Sequence, residues 1–219
     1  MGVKMKLNED LKKLEQKAYR SYFDDGIWDI AWGVWLAGWA VTPFFDFLGI
    51  SRFFAYSIMF IPALLLILGK KYITVPRIGM VHFSQARRRK KLYIFIAGVA
   101  VLIVTLLLYL LASSGNLKES LGAYGRILLP LAEAFTIFLI IGTLAFFIDF
   151  SRLYIYAAMF AAGIIVTELL YPVIGEPWDA LLGFGLFAAA ILCYGLIRLV
   201  SFLCKYPHRK VEYGNDIGQ

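Results

Sequence analysis

Glu133 and Glu168 interrupt otherwise apolar stretches, and Asp46 lies near the end of another. A charge at the centre of a lone membrane helix costs on the order of 3 kcal/mol, so each of these carboxylates needs a reason. Glu133 falls about 10 Å along its stretch from Ile127 at ~1.5 Å per residue. With Arg52 and Arg126 close by in sequence as counter-ions, Asp46, Glu133 and Glu168 belong to one membrane half; Asp29 and Arg198 form the corresponding pair in the other. A cavity lined by these acids and by Trp32, Trp35 and Trp39 would suit a cation or an amine, because tryptophan faces attract cations and a buried glutamate can carry a coupling proton. The candidate ligand or ion path is therefore Asp29, Trp32, Trp35, Trp39, Asp46, Glu133 and Glu168. The structural alternative makes the same acids interfacial salt bridges and the same tryptophans core filling.

Enzyme chemistry finds little footing. The chain has no G-x-S-x-G elbow, no H-E-x-x-H pair and no Cys–His pairing inside an apolar stretch. Two carboxylates such as Asp29 and Glu133 are the one arrangement that could support intramembrane catalysis. The expectation is no enzyme, no cofactor and no metal centre: the two histidines, His82 and His208, lie in polar connections, away from any site that would use imidazole. Cys193 and Cys204 would stand about 16 Å apart on one helix, too far for a disulfide.

The elements that must position these residues are hydrophobic helices. Of 219 residues, 61% are hydrophobic and 16% aromatic, beyond the range of soluble domains. Six apolar stretches, 27–48, 53–68, 92–112, 127–148, 153–171 and 180–203, each approach the ~20 residues needed to cross a bilayer. The expected fold is an all-α polytopic membrane protein with six transmembrane helices. In the first stretch Trp28, Trp32, Trp35 and Trp39 fall within about 60° of one another on a helix, and Thr42 and Asp46 extend the stripe. Gly33, Ala37 and Ala40 lie on roughly the opposite side, a small-residue strip that admits another helix backbone. The small residues of 153–171 and 180–203 suggest that these two stretches and the first make the packed interior.

The basic residues set the orientation. With the N-terminus in the cytoplasm, eighteen Lys and Arg fall on the inner side and three on the outer, a strong positive-inside bias. The expected location is the cell membrane with both termini cytoplasmic. The domains are then a cytoplasmic amphipathic N-terminal helix (1–26), a transmembrane domain (27–204) with a basic connection at 70–91, and a tail (205–219). In the connection, Tyr72 to Phe83 reads as an extended or hairpin excursion. Arg87, Arg88, Arg89, Lys90 and Lys91 read as a contact for anionic lipid headgroups, or for a partner subunit; homo-oligomers remain open. The net charge of +7 is explained by topology, so no nucleic-acid partner is expected.

The segments DGIWDIAWG and VPRIGMV resemble elements of a group of bacterial and archaeal multi-spanning membrane proteins of unassigned activity. Those carry an Asp-Gly-x-x-Asp start to the first helix and a Pro-Arg-x-Gly element after the second, and the resemblance implies the same topology. Ser51-Arg52 to Met59-Phe60 and Ser151-Arg152 to Met159-Phe160 lie 100 positions apart and suggest two inverted three-helix repeats, an arrangement of many transporters; chance recurrence of aromatic residues is the alternative. The leading functional expectation is a small-solute transporter or the membrane-embedded subunit of one. The rival is a non-catalytic membrane scaffold or partner-binding subunit.

Overall fold

A computed structural model describes residues 23–78, 96 and 125–207. Every regular element among them is helical: α1 (Ile27–Phe47), α2 (Arg52–Ile58), α3 (Ile61–Gly69), a π-helical turn (Lys70–Thr74), α4 (Val75–Ile78), α5 (Gly125–Ile148), α6 (Arg152–Ile174) and α7 (Trp178–Lys205). Three stretches are long and apolar enough to cross a membrane, namely Ile127–Ile148, Arg152–Ile174 and Trp178–Lys205. At ~1.5 Å per residue each exceeds about 30 Å of hydrocarbon. The protein is an all-α membrane protein.

The six expected spans are not all found. α1 has 21 residues, enough length, but it is not among the three candidate spans; it carries four tryptophans and two aspartates. The stretch 53–68 is not one helix. α2 stops at Ile58 and α3 starts at Ile61, because the ring of Pro62 has no N–H to give and crowds the carbonyl four residues back, that of Ile58. The stretch 92–112, the N-terminal amphipathic helix over 1–22, the basic run 87–91 and the tail beyond 207 lie outside the described residues. The inverted repeat is not seen in the described helices either: the first copy is a seven-residue helix that ends before Met59, whereas the second runs through Met159 in a helix of 23. The expected extended excursion from Tyr72 is also corrected. The chain stays helical to Ile78, for a tertiary reason given below.

Both specialised sides of α1 are used in packing. Its small residues meet α7: a Cβ added at Gly33 would lie 2.7 Å from the Leu192 side chain, and one at Gly195 would lie 2.8 Å from the backbone N of Ile30. Its tryptophans meet aromatic rings on the neighbouring helices. Trp35 and Trp39 sit 5.1 and 5.7 Å from the Phe160 ring of α6, and Trp39 also lies 6.3 Å from Phe184 of α7. Trp28 lies 5.4 Å from Phe23 and 6.3 Å from Phe150. α5 and α6 form a hairpin through Asp149, Phe150 and Ser151, closed by Leu36, Ala134, Ile141, Leu153 and Ala157 in the shared core. One end of the bundle is thereby fixed: α1 and α6 start there, and α5 and α7 finish there.

Candidate functional site

At that end three acids from one short segment meet three bases from three others. Asp25 is fully buried. Its Oδ1 accepts the N–H of Ile27 at 3.2 Å, holding the first turn of α1 as a capping group does. Its Oδ2 accepts from Lys70 Nζ at 2.5 Å and from the Thr74 hydroxyl. Lys70 opens the π-helical turn and Thr74 closes it; four residues apart, the two lie on one face of the helix and both reach the same carboxylate oxygen. That anchorage explains why β-branched Ile73, Thr74 and Val75 are helical: tertiary contact overrides their strand preference. Burial pushes the Lys70 ammonium below its ordinary range, and the Asp25 carboxylate opposes the shift.

Asp29, also fully buried, accepts from Arg152 Nη1 at 2.9 Å and from the Tyr156 hydroxyl at 2.6 Å. Arg152 Nη2 donates to the Phe23 carbonyl at 2.6 Å, and the guanidinium lies 4.9 Å from the Phe150 ring centre. Arg198 Nη2 reaches Asp24 Oδ1 at 2.5 Å, with Arg152 at 3.8 Å from the same oxygen. The Asp24–Arg198 pair is half open to solvent and contributes about 0–1 kcal/mol. The two buried groups are different: their charges are compensated inside the fold, and removing one partner strands the other. This cluster is a clamp that ties α1 to the π-helical turn, to α6 and to α7.

Asp29 was expected to pair with Arg198; its partners are Arg152 and Tyr156. Asp24, Asp25, Lys70, Thr74, Arg152 and Tyr156 were not among the candidate residues. Their signal was present in the Asp24-Asp25-Gly26-x-x-Asp29 segment and in the Ser151-Arg152 pair, but Lys70 and Arg152 read as topological markers. The Tyr156 hydroxyl gives a direct test. Tyr156→Phe should lower stability by about 1.5–3 kcal/mol, the range for a hydrogen bond to a charged group, read as a lower unfolding midpoint in detergent. An unchanged midpoint would mean that Asp29 finds another donor.

The other candidate carboxylates lie elsewhere. Glu133 stands seventeen residues before Phe150 on α5 and Glu168 eighteen after it on α6. Both are therefore about 26 Å from the turn, at the same height on neighbouring helices, and their charges act on each other. Both are exposed on the bundle surface, and among the described residues neither has an ion-pair partner. Asp46 is exposed near the end of α1, about 25 Å from Asp29 along that helix. Asp29 and Glu133 are thus at opposite ends of the bundle, and the two-carboxylate catalytic pair is not assembled. Trp32 and Trp35 are half-buried against rings, and Trp39 is 39% exposed. The side chains of Arg52 and Arg126 are not among those described. Among the described residues no group of three or more His, Cys, Asp or Glu could hold a metal ion, and Cys193 and Cys204 are exposed thiols.

A scan against protein-family models and searches of curated proteins and of solved structures found no match to this chain.

Proposed function

We propose that this membrane protein handles a cation in its outer half, as a small transporter or the membrane-embedded subunit of one, and that Glu133 and Glu168 are the pair that meets the cation. The observation that carries this reading is their placement. Two carboxylates at one height on adjacent apolar helices, without a basic partner among the described residues, form a negative site in a medium where bare charge is costly. A cation of any kind, a proton included, relieves that cost. The eighteen-to-three distribution of basic residues supports a topology with both termini in the cytoplasm, which would set the glutamates toward the opposite face. The Asp-Gly-x-x-Asp resemblance supports the same multi-spanning topology.

The test uses full-length protein in lipid vesicles and a hydrophobic carbodiimide, which attacks carboxyl groups within membranes. Modification is expected at Glu133 or Glu168, and excess sodium, potassium or ethylammonium, supplied one at a time, should slow it. About tenfold protection by one of them corresponds to 1.4 kcal/mol of preferential binding. Glu133→Gln should abolish that protection while the protein still inserts. If no cation protects, the pair is not a cation site.

One observation favours the scaffold reading. Trp35 and Trp39 pack against Phe160, and Trp32 packs on Trp35, so this face contributes packing instead of a passage. A scaffold would copurify with a partner that is lost when residues 1–22 are deleted, and would show no cation protection.

A further inference from the structure

Two buried polar atoms on neighbouring helices have no hydrogen-bond partner: Oδ1 of Asp179 on α7 and Oγ1 of Thr167 on α6. Asp179 is the second residue of α7 and only 3% exposed. None of the ion pairs among the described residues includes it. Thr167 packs on Gly183 of α7: a Cβ added there would collide with the Thr167 hydroxyl and lie 2.9 Å from its backbone N. Asp179 precedes Gly183 by four residues, so it projects from the same side of α7, one turn nearer the connection between the two helices. Both orphaned atoms therefore belong to the seam between α6 and α7, about one helical turn apart.

A buried carboxylate needs a compensating charge, and the backbone here supplies little on balance. α7 begins beside Asp179 with its positive end, which favours an acid. α6 ends at Ile174, close by in the chain, and its negative end opposes that field. Of the last α6 carbonyls, that of Tyr171 accepts the N–H of Gly175 at 3.0 Å, whereas those of Pro172, Val173 and Ile174 have no donor inside the helix. Carboxylate, hydroxyl and carbonyl oxygens are the ligands of a hard cation, and helix C-terminal ends coordinate sodium in membrane proteins. One positive charge balances Asp179. The seam also selects for size: where Gly183 has no room for a single Cβ, the methylene or methyl groups of an organic ammonium find none either.

We infer that the α6–α7 seam binds a sodium ion between the Asp179 carboxylate and the Thr167 hydroxyl. The inference stands on this seam alone and does not rest on the Glu133–Glu168 pair.

The test follows the unfolding midpoint of the full-length protein in detergent while sodium chloride replaces choline chloride at constant ionic strength. An ion that binds only the folded state raises the midpoint as its concentration grows, so sodium should raise it, and potassium, the larger ion, should act only at higher concentration. Asp179→Asn, which keeps the shape and removes the charge, should abolish the sodium effect. Thr167→Val, which keeps the volume and removes the hydroxyl, should raise the sodium concentration needed by at least about tenfold, as loss of a group supporting a metal does. It reports on the site even where the Asp179 variant fails to fold. All are compared in a Glu133→Gln, Glu168→Gln background, so that pair contributes nothing and the carbodiimide experiment succeeds or fails independently. Equal midpoints in sodium and choline, or a sodium effect undiminished in either seam variant, overturn the inference. So does a midpoint that responds to pH and not to sodium, which would make the occupant a proton.

Discussion

Asp29→Ala is expected to lower stability by about 3–5 kcal/mol, the range for breaking one side of a buried ion pair. Asp29 has no exposed surface. Its loss leaves Arg152 without its closest counter-ion and the Tyr156 hydroxyl without an acceptor, both at the junction of α1 and α6. The residual contacts of Arg152 with the Phe23 carbonyl and Asp24 place the effect toward the lower end of that range. A double variant, Asp29→Asn with Arg152→Gln, should recover a good part of the loss, because no uncompensated charge then remains buried. Unfolding midpoints of the detergent-solubilised single and double variants measure this directly. A single variant as stable as the parent protein, or a double variant equal to the sum of the two singles, would show that the clamp carries no coupling.

Gly26→Val should be at least as damaging, for a different reason. Gly26 has φ +76°, and a Cβ there would lie 2.5 Å from the carbonyl oxygen of Gly195 and 2.7 Å from the backbone N of Leu199. Neither backbone atom can turn aside as a side chain tip could. Left-handed strain for a non-glycine residue costs roughly 1–2 kcal/mol, and overpacking adds about 1–3 kcal/mol. Moving α1 away from α7 would also pull Asp25 from Lys70 and Asp29 from Arg152. Gly49→Ala is the internal control. Its φ is +69° but no atom lies within 4 Å of the added Cβ, so it meets the backbone strain alone. The stability difference between Gly26→Ala and Gly49→Ala therefore measures the helix contact. Equal losses would mean that α7 yields at no cost.

Much of the architecture was legible before any coordinates. Composition marked a helical membrane protein, since 61% hydrophobic residues arranged in stretches of about twenty have no other stable destination. The 3.6-residue period separated the tryptophan side of the first helix from its glycine and alanine side, and these sides do meet different neighbours. Local rules were weaker where one residue outweighed its surroundings. Pro62 splits a stretch that hydropathy alone reads as continuous. The strand-forming residues after Lys71 stay helical because Asp25 holds Lys70 and Thr74.

The pairing of charges belonged to the tertiary structure alone. Asp29 and Arg152 are 123 residues apart, and no period or motif links them. Sequence established that Asp29, Glu133 and Glu168 each carry a charge where charge is expensive, because residue type and hydrophobic surroundings determine that cost. Which of them is neutralised within the fold depends on where helices come together: Asp29 is enclosed by Arg152 and Tyr156, while Glu133 and Glu168 stay exposed on neighbouring helices. Burial and partnership are relations between distant segments, so only the packed bundle could sort a carboxylate neutralised inside the fold from two that have no ion-pair partner among the described residues.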